Sequence, residues 1–277
     1  NNVFTSSIDN KIITITAIKN GRGCLKIKVG TAERILGIIV GTGTDSTEFP
    51  ISMVSEDDPL TSIAFWKDFD IHGKRCEGRY VYLNGGPKEY GWRLNYTSEQ
   101  YNLEPLGKRA TIFLRNSQML GMVPTFVYYN IPDGGESYTG NLAHIQSLEY
   151  MENYFQDLDF LLNIINTETT PNLINTETTP DTETTPDLVR IILEPDFLGY
   201  LMQNSGTSNT SNINAKVSAI YSSNVLKENT TLKFPDTVTG LVQAINYLIS
   251  TKCPQVQFGW QINAWAKRGT TPTPQTF

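Results

Sequence analysis

Leu188-Val189-Arg190-Ile191-Ile192-Leu193-Glu194-Pro195-Asp196 is a short apolar run that stops abruptly on two acids flanking a proline. Earlier in the chain, Val123 to Ile131 is nearly as apolar and stops on Pro132-Asp133-Gly134-Gly135-Glu136. Arg79-Tyr80-Val81-Tyr82-Leu83-Asn84 ends in Gly85-Gly86-Pro87, and Val256 to Ile262 repeats the pattern near the end of the chain. Runs of this length without polar alternation are strands buried on both faces, the signature of a parallel sheet. Between them, Leu106–Leu120, Ser147–Ile165 and Thr237–Thr251 carry apolar residues at helical spacing. Strands alternating with helices define an α/β fold. The expected architecture is a parallel (β/α) barrel-like domain, incomplete or open, because a closed barrel takes eight units and about 250 residues.

The residues before this region read differently. Lys11–Ile18, Cys24–Val29 and Glu33–Val40 have strand character, with Gly21–Gly23 expected as a turn, so residues 1–45 form a small β-sheet module. Residues 46–78 read as a linker or entry segment, 79–268 as the (β/α) domain and 269–277 as a flexible tail. Within the domain, 166–187 is a low-complexity insertion. Thr-Glu-Thr-Thr-Pro recurs there at residues 167, 176 and 182, and the prolines forbid a regular helix.

The chain has 277 residues and a net charge of −6, from 22 basic and 28 acidic side chains. An acidic balance disfavours nucleic acid and anionic membrane surfaces, which reward a basic face. No apolar run reaches the roughly 18 residues of a membrane span. Cys24, Cys76 and Cys253 are too dispersed for a metal motif, and the only histidines are His72 and His144. Neither a metal nor another cofactor is called for by any motif, and Ser137 and Ser205 have no neighbouring histidine in the sequence to activate them. His144 reads as a surface or capping residue. The start at Asn-Asn reads as a mature chain after signal removal, which places the protein outside the cell or on its surface. Sequons at Asn95, Asn209 and Asn229 add little in a chain this rich in Asn and Thr.

In a parallel sheet the loops after the strands share one rim, where such folds place their sites. Asp133, Glu136, Glu194 and Asp196 therefore converge as candidate catalytic carboxyls. Glycoside hydrolysis needs two carboxyls in unlike environments, one to protonate the leaving oxygen and one to activate water or attack. Acids at these positions also cap the helices that follow. Tyr129, Asn130, Asn84, Trp92, Trp260, Gln261, Asn263 and Trp265 are candidate substrate-binding residues: indoles pack on sugar C–H faces and amides bond hydroxyls. The same tryptophans could instead fill core space.

Phe126-Val127-Tyr128-Tyr129-Asn130-Ile131-Pro132-Asp133 and Ile191-Ile192-Leu193-Glu194-Pro195-Asp196-Phe197-Leu198 resemble, in order, two strand-end motifs of the glycoside hydrolase family 6 cellulases. The resemblance covers roughly residues 123–204. It implies that Asp196 is the general acid, that Tyr129 lies beside the reactive sugar and that hydrolysis inverts the anomeric centre. The family's second aspartate falls at Gly135, with Glu136 one place on as a stand-in. The family's later Asp-Ala-Gly-His motif is replaced by Phe258–Trp265, its disulfide cysteines are missing, and its late Lys and Asp fall past Phe277. The expectation is a secreted protein acting on β-glycosidic bonds of a polysaccharide or oligosaccharide. The alternative is a non-catalytic structural or adhesive protein, self-assembling or glycan-binding, in which the β module and a sheet edge make homo-oligomer contacts.

Overall fold

The computed structural model describes residues 3–10, 12–19, 21–30, 32–40, 52–54, 78–87, 91–93, 106–120, 122–169, 188–207, 209–227 and 232–261. Asn263, Trp265, residues 170–187 of the Thr-rich insertion and the 269–277 tail lie outside them. The chain divides into two compact units. One gathers Asn1–Val81, Ala110–Thr125 and Glu168–Val189, the other Tyr82–Arg109, Phe126–Thr167 and Arg190–Phe277.

The first unit begins with two antiparallel hairpins. β1 (Phe4–Asp9) pairs with β2 (Ile12–Ala17), and β3 (Gly21–Val29) with β4 (Ala32–Val40). Asn10 at φ 46° makes the first connection, a backbone region that Asn tolerates better than most side chains. The Gly21–Gly23 segment, expected as a turn, is instead the start of β3. The reason is pairing: Gly21, Arg22 and Gly23 sit opposite Val40, Ile39 and Ile38 of β4, and the Phe4 ring lies against Gly23 where a Cβ would come within 2.7 Å of it. The stretch expected as a linker also contributes structure, because β5 (Ser52–Val54) pairs in parallel with β6 (Gly78–Asn84).

β5 is the edge of a five-stranded sheet completed by β6, β7 (Val123–Tyr129), β8 (Val189–Leu193) and β9 (Val256–Trp260), in that spatial order. Spatial order follows chain order throughout, with no reversal of winding. Helices occupy the connections: α1 (Lys108–Leu120), α2 (Tyr138–Gln146), α3 (Leu148–Thr169), α4 (Phe197–Asn204), α5 (Ala219–Ser222) and α6 (Val238–Lys252). The fold is α/β with a parallel sheet. β7 is buried at five consecutive positions, Pro124 to Tyr128, so both of its faces are covered, as expected of its mostly apolar sequence. None of the described helices is long and apolar enough to cross a membrane.

α3 explains itself by spacing. Met151, Tyr154, Phe155, Leu158, Leu161, Leu162 and Ile165 recur at three- and four-residue intervals and are buried along one stripe. Each contributes roughly 1.5–3 kcal/mol by leaving water. The helix runs four residues into the segment expected as an unstructured insertion. Asn166 donates to the Lys252 carbonyl at 2.8 Å and accepts from Gln255 at 3.0 Å, Glu168 takes a two-pronged bond from Arg115, and Thr169 is buried. The first Thr-Glu-Thr is therefore helix, and Pro171 lies just past its end. α6 starts where Thr237 accepts the Gly240 N–H at 3.2 Å. Gly240 has no side chain to clash with the Pro235 backbone, which passes where a Cβ would sit. The second unit holds the carboxyl-terminal parts of β6 to β9, so the strand-end residues lie within one unit.

Candidate carboxylate site at the strand ends

Three strand ends carry the chemistry. At the end of β7, Tyr129 is half-buried and its hydroxyl donates to Glu136 Oε1 at 2.7 Å, while Glu136 itself is exposed. Burial first, and then the Glu136 hydrogen bond and charge, raise the Tyr129 phenol above its ordinary range, so it stays a donor. The Tyr200 hydroxyl, from α4, reaches the other Glu136 oxygen at 3.4 Å. Tyr200 carries no motif, and only its place one helical turn after Asp196 in the sequence could have pointed to it.

At the end of β8, Glu194 has φ 42° and Asp196 φ 65°, a conformation that costs non-glycine residues free energy and persists only when the surroundings impose it. Asp196 is half-buried and stands at the N-cap position of α4, yet its side chain makes no capping hydrogen bond. Its charge acts on both Tyr129 and Tyr200, the two phenols that hold Glu136. Glu136 is thus held between Tyr129 and Tyr200, the two phenols that also feel the Asp196 charge. Asp133 sits against the end of β6: a Cβ on Gly86 would come within 2.4 Å of its Oδ2.

Several expected roles change. Glu194 is fully buried and cannot meet a sugar. Its carboxyl oxygens instead accept the backbone N–H groups of Asn130 at 3.1 Å and Ile131 at 2.9 Å. Burial drives it from 4.5 up to about 8, against the lowering pull of those amides. The Tyr154 hydroxyl approaches the same carboxyl without closing a hydrogen bond of ordinary geometry. Asn130 is also fully buried, its side-chain amide donating to the Leu83 carbonyl at 3.1 Å, so it ties β7 to β6 rather than binding ligand.

Trp92 is not a platform for a sugar either. It has no exposed surface, and its indole N–H donates to Asp157 Oδ2 at 2.7 Å. That oxygen also accepts from the Tyr128 hydroxyl at 2.8 Å. Arg93 Nε lies 2.6 Å from Oδ1 as an ion pair, at an angle outside hydrogen-bond geometry. Burial still raises the Asp157 carboxyl, with Arg93, Trp92 and Tyr128 opposing the rise. No motif marked Asp157, since its partners lie on other elements.

The remaining expected residues are Asn84 and Gln261, both exposed, and Trp260, half-buried with its indole N–H donating to Asn246 at 2.9 Å. Asn84 and Gln261 follow or end β6 and β9, and the Gln261 N–H reaches the Leu193 carbonyl at 3.5 Å. His144 is half-buried and tied to the end of β7. Its Nδ1 donates to the Ile131 carbonyl at 2.6 Å and its ring stacks on Tyr150 at 4.1 Å. Among the described residues no group of three or more His, Cys, Asp or Glu is arranged to hold a metal ion.

A separate cleft of about 560 Å³ is lined by Ser218, Tyr221, Ser222, Asn224, Leu226 and Lys227 and shares none of these residues. Its hydroxyls are engaged internally, Ser222 with Glu152 at 2.5 Å and Tyr221 with the Leu232 carbonyl at 3.0 Å. The strand-end carboxylates remain the better candidate.

The chain matches no family model, no curated protein and no solved structure.

Proposed function

We propose that this is a secreted or cell-surface carbohydrate-active protein that hydrolyses β-glycosidic bonds of a polysaccharide by acid assistance, on a barrel-like arc of β/α units resembling the family 6 glycoside hydrolases. The observation that carries the reading is Glu136, an exposed carboxylate held on both oxygens by the Tyr129 and Tyr200 hydroxyls, which also feel the charge of Asp196 at the next strand end. In-order winding supports the barrel-like arc, since barrel walls wind in one direction whereas doubly wound sheets reverse.

In this reading Asp196 gives its proton to the glycosidic oxygen as the C–O bond breaks. Water adds to the anomeric carbon from the opposite face, and Glu136 takes the water's proton, which inverts the centre. Gly135 explains why Glu136 serves. Its φ of 128° is a conformation that an aspartate would occupy only under strain, so the acid is displaced by one position. Hydrolysis of carboxymethylcellulose and mixed-linkage β-glucan by the intact chain tests the proposal. Asp196→Asn should abolish turnover and keep binding on a glycan array; unchanged turnover would sink the assignment.

A second reading, a non-catalytic adhesive or self-assembling protein, is favoured by the first hairpin. Ile8 and Ile12 are 73% and 67% exposed there, with Ile15 and Ile18 also open to solvent. It predicts glycan binding or a concentration-dependent oligomer, without turnover by the unmodified chain.

A further inference from the structure

Just past β7, the backbone N–H and C=O groups of both Asn130 and Ile131 are all hydrogen-bonded. The Asn130 and Ile131 N–H groups donate to the Glu194 carboxyl, at 3.1 and 2.9 Å. The Asn130 carbonyl accepts from the Tyr150 hydroxyl at 2.5 Å, and the Ile131 carbonyl from His144 Nδ1 at 2.6 Å. Glu194 is also pinned through its own backbone, its N–H donating to the Tyr128 carbonyl at 2.8 Å and its carbonyl accepting from Phe197 at 3.3 Å. Glu194 is thus the one side chain in this group that joins the end of β7 directly to the turn carrying Asp196.

That turn needs such a join. Glu194 and Asp196 both hold positive φ on either side of Pro195, and strained backbone relaxes unless fixed contacts outweigh it. We propose that Glu194 is a positioning residue: its buried carboxyl, clamped on the Asn130 and Ile131 amides, holds the Glu194–Asp196 turn so that Asp196 faces the Tyr129–Glu136–Tyr200 cluster. The clamp stands on geometry, and its consequence for turnover rests on the hydrolase reading. The ionisable groups facing the carboxyl are Tyr128 and Tyr129 of β7 and Tyr150, Tyr154 and Asp157 of α3, with Arg93 paired to Asp157. Burial keeps Glu194 protonated until about pH 8. Above that, a buried negative charge appears beside Asp157, and the junction loosens.

Carbon-13 NMR of glutamate- and aspartate-labelled protein, together with carboxymethylcellulose turnover, tests this. One glutamate carboxyl should titrate near pH 8 and be missing from Glu194→Gln. The Asp196 resonance, assigned by its loss in Asp196→Asn, should shift with the same midpoint in the wild type and stay still in Glu194→Gln. Glu194→Ala should lower kcat about 100-fold with KM changed less than about threefold, the scale of an ångström misplacement. Glu194→Gln should recover about tenfold of that loss, without the alkaline fall in rate. An Asp196 resonance indifferent to Glu194 overturns the clamp, whether or not Glu194→Ala folds. A coupled shift in a protein with no turnover keeps the clamp and removes the hydrolase reading.

Discussion

The Tyr129 hydroxyl donates to Glu136 across 2.7 Å, linking the last residue of β7 to an exposed carboxylate beyond the following turn. With Tyr200 on the other oxygen, the carboxylate is oriented from two sides while one edge remains open to water. If Glu136 takes the proton of the attacking water, removing the shorter bond should matter more. We expect Tyr129→Phe to lower kcat about tenfold, Tyr200→Phe less, and both to change unfolding free energy by no more than about 1 kcal/mol, the net worth of one hydrogen bond. Steady-state kinetics and urea denaturation of the two variants check this.

The sheet was readable because its strands are locally unambiguous. Val123–Tyr129 and Val189–Leu193 are mostly apolar, Val256–Trp260 alternates apolar residues with Gln257 and Gly259, and α3 advertises its stripe. β5 was not readable, since three residues hold no period and only the register with Gly78–Tyr80 makes them a strand. α2 escaped for a related reason: only Asn141 and Ile145 of its nine residues are buried, so it has no apolar stripe.

The site was legible in its acids and not in their roles. Four carboxyls at two strand ends follow from the chain, but not that Glu194 is fully buried and Asp196 half-buried. What decides Glu194 is the amide pair of a neighbouring strand, and what decides Trp92 is an aspartate 65 residues away. Residue type carries neither fact. An indole serves a core and a sugar platform equally well, and only non-local packing chooses between them.

Asp157 joins Trp92, Tyr128 and Arg93 in the interior of the second unit. Replacing it leaves a guanidinium and two donors facing a void, and breaking a buried pair of this kind costs about 3–5 kcal/mol. Asp157→Ala should lower the urea midpoint accordingly. Trp92→Phe, which orphans one acceptor and trims the indole, should cost about 1–3 kcal/mol. The double variant should cost less than the sum, because the two residues share one bond.

Gly86→Ala should be costly for two reasons that act together. Its φ of 85° is open to glycine and strained for alanine, and the new Cβ would meet the Asp133 carboxyl within 2.4 Å. Strain of this kind is worth about 1–3 kcal/mol. Asp133 can swing aside, so the Gly86→Ala, Asp133→Ala double variant should recover the steric part and keep the backbone part. A fully additive double variant would show that Asp133 does not crowd Gly86 in solution.

Glu194 fixes the direction of a pH effect on stability. Its carboxyl rises from 4.5 to about 8 on folding, so between those values the folded state keeps a proton that the unfolded chain has released. Stability then falls as pH rises through that window, by at most about 1.4 kcal/mol per unit from this group, and is flat in this respect below 4.5 and above about 8. Asp157, raised in the same direction by burial, adds to the slope. Glu194→Gln cannot ionise and should remove its share, so wild type and variant diverge steadily from pH 5 to pH 8 in chemical denaturation. Parallel curves across that range would mean that the carboxyl is ionised in the folded protein and that water or a cation reaches it.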